Sequence, residues 1–376
     1  MTTVGVVGGG QLARMMLQEA VPLGLELRFL VSSPDDPVAQ ISSHCTVGSP
    51  TSSADLEAFA RHVDVLTFDH EVVDLAALEH LEAEGHRLAP DAAAFATVSD
   101  KARMRAALAA AGIPVPAAVV TSDPADAARL VETSGPQVIK LAHGGYDGRG
   151  TFFVDDADEA RRITEEAAGD RFLVEPRLDL VGELAVLVVT GTTGERAVYD
   201  PVTTIQVDGQ CRRVDAPTRL ADGLLDSARH LATSAAETVG ALGVLAVELF
   251  LTRSGLLVNE LAARPHNTGH HTLDAAVTSQ FANHLRAVAD LPLGDPTLRQ
   301  PAVTANVIGR DSRLDPRHRL ARALELDSGA HIHLYGKTPR TDRKLGHVTV
   351  CDDDVDRAVT RVATVVEALG GQEVPR

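Results

Sequence analysis

No run of about eighteen apolar residues occurs in this chain, so no membrane-spanning helix is expected. Cysteine is scarce. Cys45, Cys211 and Cys351 lie far apart, are odd in number, and form no CxxC pair. Neither a disulfide framework nor a structural zinc site is expected, and a reduced, cytoplasmic compartment is. Positive charge is in deficit: 35 Lys and Arg against 52 Asp and Glu leave a formal net charge of −17. A nucleic-acid partner is excluded on that balance, since phosphate backbones need a basic face. Any anionic ligand must be held by local positive clusters. The N-terminus has no basic region before its first apolar run, so no secretory signal is expected. Tryptophan is absent, which says little in a chain so rich in alanine and valine.

At 376 residues the chain exceeds what one core usually serves, and two or three domains are expected. Val4–Val7 reads as a buried strand, Gly8-Gly9-Gly10 as a tight turn, and Gln11–Ala20 as a helix. Strands at 26–31 and 63–68 continue a parallel α/β alternation, joined through 91–97 to a helix at 100–111. Pro114 and Pro116 break the pattern. Short strands and helices from 117 to 175 then form a small α+β unit. Strands near 183–190 and 196–203, a hairpin at Asp208-Gly209 and a helix at about 221–241 follow, with a helix near 278–290 and a Pro-rich break at 291–301. The remainder reads strand, helix, strand, strand, helix.

The most informative stretch is Gly144-Gly145-Tyr146-Asp147-Gly148-Arg149-Gly150, just after a strand ending in Lys140. Four glycines are costly to order, but they let backbone N–H groups approach an anion unobstructed. Lys140 adds a point charge and Arg149 a planar fork. The alternative, an ordinary hairpin turn, gives the flanking cations no purpose. A second constellation is a hairpin predicted over 245–261, turning at Thr252-Arg253-Ser254-Gly255. It sets Glu248 and Glu260 opposite each other, with Cβ atoms about 5 Å apart. Carboxylates that close repel unless a cation lies between them. Hard oxygen ligands of this kind suit Mg²⁺ shared with phosphates. The alternative is two solvated glutamates.

Lys140, the 144–150 loop, Val174-Glu175-Pro176, Glu183, Glu248 and the segment Asn259-Glu260-Leu261-Ala262-Ala263-Arg264-Pro265-His266-Asn267-Thr268-Gly269-His270 together resemble the ATP-grasp enzymes. Within them the chain resembles the 5-(carboxyamino)imidazole ribonucleotide synthase family, essentially from Gly8 to His347. The resemblance implies an α/β and α+β architecture with an ATP-grasp fold. An N-terminal open parallel α/β (pre-ATP-grasp) domain would span 1–97. An ATP-grasp domain would span 98–293, with a small lid at about 113–176, and a C-terminal domain 294–376. It also implies an ATP- and bicarbonate-dependent carboxylation of 5-aminoimidazole ribonucleotide, through carboxyphosphate, in a cytoplasmic homodimer.

The same resemblance distributes roles. Glu248 and Glu260 would hold Mg²⁺, or Mn²⁺ in its place. ATP would be bound by Lys101, Lys140, Gly145, Tyr146, Asp147, Gly148, Arg149, Gly150, Thr151, Glu175, Glu183, Gln206, Asn259 and Glu260. Among these, Glu175 starts the adenine linker and Glu183 takes the ribose hydroxyls. The ribonucleotide would meet Gly10, Gln11, Leu12, Glu71, Asn267, Lys337, Arg343 and Lys344, with the glycine turn and helix N-terminus on its 5′-phosphate. Arg264, Lys337, Glu71, Tyr146 and Asp147 would serve the chemistry. Thr151 stands where a glutamine is common, Gln206 where a histidine is, Ala263 where a proline is, and Thr341-Asp342 where Pro-Gly is.

Other readings compete. Gly8-x-Gly10 after a strand, with Asp35 and Asp36 downstream, suggests a dinucleotide fold, but that leaves the central loop and paired glutamates unexplained. His266, His270 and His271 suggest zinc, yet further ligands at matching spacing are not obvious. A formate-dependent glycinamide ribonucleotide ligase, a biotin carboxylase and a non-catalytic nucleotide-binding regulator complete the alternatives.

Overall fold

The computed structural model describes residues 2–145, 150–167 and 169–375. Tyr146, Asp147, Gly148 and Arg149, all expected site residues, lie outside the described residues.

The N-terminal unit runs β1 (Thr3–Val7), α1 (Gln11–Leu23), β2 (Glu26–Val31), β3 (Cys45–Val47), α2 (Ser53–Ala60), β4 (Val65–Phe68), α3 (Leu75–Ala83), β5 (Arg87–Leu88) and α4 (Ala92–Ser99). Its five strands are parallel in the order β3-β2-β1-β4-β5. Val4, Val6 and Val7 are fully buried, as a strand covered on both faces requires. The sequence order therefore reverses between β1 and β4, and open sheets of this type bind ligands at that crevice. Helix α4 replaces the expected plain connection; its Ala-rich run is capped by Asp91, whose side chain accepts from the Ala94 N–H.

The next unit begins with α5 (Lys101–Ala110), capped by Asp100. Then come β6 (Val119–Thr121), α6 (Pro124–Ser134), β7 (Gln137–Leu141), β8 (Thr151–Val154), α7 (Ala157–Glu166) and β9 (Phe172–Pro176). These strands make an antiparallel sheet, β6-β9-β7-β8. Helices α6 and α7 cover it through Ala127, Val131, Ala160 and Ile163.

The rest of the chain runs β10 (Leu180–Thr190), β11 (Arg196–Val198), β12 (Val202–Val207), β13 (Gln210–Ala216), α8 (Asp222–Val239), β14 (Gly243–Thr252), β15 (Gly255–Ala262), α9 (Thr272–Ala275), α10 (Gln280–Val288), β16 (Ala302–Ile308), α11 (Leu320–Leu326), β17 (His331–Leu334), β18 (Lys344–Cys351) and α12 (Val355–Ala368). Asp208 and Gly209 take positive φ (51° and 72°) and close the β12–β13 hairpin as expected. The C-terminal strands do not form a sheet of their own. β16 pairs with β13, so one sheet runs β15-β14-β10-β12-β13-β16-β18-β17. Helix α10 crosses the other way: its Phe281, Leu285 and Val288 pack into the core that holds Met15 and Met16 of α1. The units are thus interlocked, and their shared seams frame one cleft. No helix among the described residues is long and apolar enough to cross a membrane.

Candidate active site

The cleft floor is the β14–β15 hairpin. Thr252 pairs with Gly255, leaving a two-residue turn, and Glu248 falls opposite Glu260. Their side chains keep 24% and 42% of their surface accessible, so a ligand can reach both. Burial, with Glu260 and then Glu183 adding repulsion, pushes the Glu248 carboxyl up to about 8. Burial also acts upward on Glu260, but Lys101, Lys140 and Arg264 outweigh it and hold that carboxyl below its ordinary range. Burial and the facing carboxylates therefore disfavour charge on Glu248, while the neighbouring cations favour it on Glu260. That donor set fits Mg²⁺, which binds oxygen ligands and keeps positions for phosphates. His266 stands beside Glu248, with Nε2 3.6 Å from Oε1.

Two lysines flank these carboxylates. Lys101, at the start of α5, forms a short ion pair with Glu260. Lys140 of β7 pairs with Glu175 at 2.7 Å and donates to Asn259 Oδ1 at 3.0 Å. Lys140 also pairs in register with Thr151, where the β8 strand emerges from the glycine loop. Gly150 has φ +76°, and a Cβ there would meet Leu141 at 2.9 Å, so the loop's return needs glycine. Gly145 lies at the other edge of the undescribed stretch. Glu183 on β10 faces the same field: burial raises its carboxyl, and Lys140 opposes the rise. Gln206 lies on β12 at the bulge between Ile205 and Gln206.

One residue was missed from sequence. Arg105 is buried and joins Glu175 in a short ion pair, while its Nη1 donates to Val258 O at 2.8 Å. Glu175 is 3% exposed, and its two oxygens are shared between Arg105 and Lys140. Its carboxylate therefore fixes the lysine. Arg105 lies 70 residues from Glu175 in sequence, so no local pattern announces the pair.

The opposite wall joins the chain's two ends. Arg264, after β15, pairs with Glu71 at 2.8 Å beyond the end of β4. Asn267 Nδ2 is buried with no hydrogen-bond partner among the described residues, a donor left for a ligand. Lys337 Nζ donates to Gln11 Oε1 at 2.6 Å, bringing the C-terminal loop to the first turn of α1. Arg343 Nη1 donates to Thr338 O at 3.1 Å within that loop. Lys344, at the start of β18, acts electrostatically on Glu248.

The N-terminus of α1 differs from expectation. Asp69 Oδ2 accepts the Gly10 N–H at 2.6 Å, so that amide is spent on a carboxylate and not left for a 5′-phosphate. A Cβ on Gly8 would lie 1.7 Å from Asp69 Oδ1, which explains the glycine. The first-turn amides beyond Gly10, those of Gln11 and Leu12, are the ones to offer a ligand. The Leu12 side chain is 5% exposed in the core, so only its backbone can take part.

Comparison with known proteins matches the three regions in turn. The ribonucleotide synthetase preATP-grasp domain matches residues 1–99, the ATP-grasp domain 106–281, and the phosphoribosylaminoimidazole carboxylase C-terminal domain 302–361. N5-carboxyaminoimidazole ribonucleotide synthase of Mycobacterium bovis is 46% identical over 369 residues, covering 95% of this chain and 85% of that one. The enzyme of the same name from Synechococcus elongatus is 37% identical, covering 92% and 89%. The crystal structure of N5-carboxyaminoimidazole synthase from Aspergillus clavatus with ADP and 5-aminoimidazole ribonucleotide superimposes with TM-score 0.88 at 32% identity, covering 98% of each chain.

Proposed function

The chain belongs to the N5-carboxyaminoimidazole ribonucleotide synthase family, and we propose that its cleft joins bicarbonate to 5-aminoimidazole ribonucleotide at the expense of ATP. It is an ATP-grasp ligase of purine biosynthesis. The observation that carries the residue-level reading is the opposed pair Glu248 and Glu260, one held protonated beside three cations that favour its partner.

Bicarbonate is a poor electrophile. Attack of its oxygen on the γ-phosphorus of ATP yields carboxyphosphate and ADP. The exocyclic amine of the ribonucleotide then takes the carboxyl group, and phosphate leaves. The protein's task is positioning and charge neutralisation. Glu248 and Glu260 would hold Mg²⁺, which when bound would neutralise charge on the phosphates. Lys101 and Lys140 hold phosphate oxygens, with Gly145, Gly150 and Thr151 framing the loop between them. Glu183, Gln206 and Asn259 complete the nucleotide pocket. Arg264, which cannot lose its charge, steadies the anionic intermediate, and Glu71 aims it. Gln11, Leu12, Asn267, Lys337, Arg343 and Lys344 place the ribonucleotide. By the family resemblance, Gly148 and Arg149 belong to the loop that clamps the phosphates, and Tyr146 and Asp147 help to place the ribonucleotide; the lid's task is to exclude water, which would hydrolyse carboxyphosphate. The family resemblance further supports a cytoplasmic homodimer.

The test is phosphate release from Mg-ATP and bicarbonate, with and without 5-aminoimidazole ribonucleotide. Release that depends on the ribonucleotide is expected. ATP binding without that stimulation overturns the reading; glycinamide ribonucleotide with formate is the control substrate pair.

A further inference from the structure

Behind the cleft lies a cluster of imidazoles that the proposed reaction does not use. Strand β17 pairs with β18 so that His333 sits opposite His347 and His331 opposite Thr349. Helix α9, from the preceding unit, brings Asp274 against them. His333 Nε2 lies 3.0 Å from Asp274 Oδ2, and His331 Nδ1 lies 3.4 Å from Asp274 Oδ1. Asp274, His333 and His347 each offer a donor atom within 4.8 Å of the other two. His347 is fully buried, and its Nε2 has no hydrogen-bond partner among the described residues.

We propose that Asp274, His331, His333 and His347 form a binding site for a divalent transition-metal cation, with zinc the ion its donors fit best. Three imidazoles and one carboxylate complete a tetrahedral set. Ligands about 2 Å from a zinc ion stand roughly 3.3 Å apart at tetrahedral geometry. Asp274 Oδ1 lies 3.2 Å from His333 Nε2 and 3.4 Å from His331 Nδ1, near that spacing, while Asp274, His333 and His347 form the convergent core that His331 joins from its exposed side. His347 supplies what a ligating imidazole needs: its Nδ1 is 2.7 Å from the Tyr335 hydroxyl, a partner that fixes the ring and leaves Nε2 for the ion. His331, with 48% of its side chain exposed, gives the entry path. The His333 and His347 rings stack at 4.5 Å and 13°, so coordination opens that stack and replaces the His333–Asp274 hydrogen bond with bonds to the ion.

The site departs from the sequence expectation of no structural zinc, because its donors lie on three elements, with Asp274 and His333 59 residues apart. All four positions are filled by protein, so its role is structural. It ties α9 to the two strands that flank the loop carrying Lys337 and Arg343. This inference is independent of the reaction assigned to the cleft.

The test uses untagged full-length protein in excess Mg²⁺, which occupies hard-oxygen sites, titrated with Zn²⁺ and separately with Co²⁺. One tightly bound zinc per chain and an intense tetrahedral cobalt absorption are expected. Asp274→Asn and the less buried His331→Ala should each weaken zinc binding roughly 100-fold or more, while Glu260→Gln leaves it unchanged. Absence of binding at micromolar zinc overturns the proposal, as does equal binding by the wild type and His331→Ala. Zinc that is lost with Glu260→Gln belongs to the cleft and overturns it too. Those results would leave a hydrogen-bonded His–Asp pair only.

Discussion

Glu175 and Glu248 are carboxylates in the walls of one cleft, and their surroundings are opposite. Glu175 is enclosed by Arg105 and Lys140, and every charge in that corner has its partner. Glu248 faces Glu260 across a hairpin, with His266 beside it and Lys101 and Lys344 acting on it without outweighing its burial. The first arrangement is complete as it stands and holds a lysine in place. The second is incomplete and becomes stable only when a cation arrives. Glu175, paired on both oxygens, acts by positioning Lys140, whereas Glu248, which lacks a close cationic partner of that kind, is the side of the opposed pair that a cation would relieve.

The largest effect should come from the unbalanced corner. Glu248→Gln or Glu260→Gln should lower turnover on the order of 10²–10³-fold, as removing a site's charge stabilisation does. Full turnover in either variant would erase the distinction between the two corners. Next comes the balanced corner. Arg105→Met leaves Glu175 with one partner in a dry site and should cost about 3–5 kcal/mol of stability, read by urea denaturation, with KM for ATP raised through Lys140. An unchanged denaturation midpoint would show that Glu175 does not depend on Arg105. Smallest is the far wall. Lys337→Ala loses a charged hydrogen bond of about 1.5–3 kcal/mol. It should raise KM for the ribonucleotide roughly 10–100-fold and leave KM for ATP alone. Equal rises in both would place Lys337 outside the ribonucleotide site.

The unbalanced corner was legible in sequence. A short turn between two strands brings Glu248 and Glu260 close to opposite, and a bulge at Asn259, which the turn does not announce, completes the alignment. The parallel N-terminal unit and the β12–β13 turn at Asp208-Gly209 were legible for the same reason, since each is encoded within a few residues. The balanced corner was not. Arg105 meets Val258 and Glu175 across 153 and 70 residues, and only the folded chain brings them together. Asp69 likewise reaches Gly10 across 59 residues and claims an amide that the glycine turn by itself seemed to offer. The joining of β16 to β13 was also hidden, because a strand's apolar pattern does not name its neighbour.

Whether Glu248 awaits a cation is decided by the thermal stability of metal-free wild type and Glu248→Gln from about pH 6 to 9. The folded protein holds the Glu248 proton up to about 8, far above the ordinary carboxyl value of 4.5. The unfolded chain has already released it, so wild-type stability must fall as pH rises through this range and level off above it. This fall should be absent from the glutamine variant, and Mg²⁺ with ADP should restore the wild type at the alkaline end. Parallel curves for the two proteins, with no gain from Mg²⁺, would contradict it.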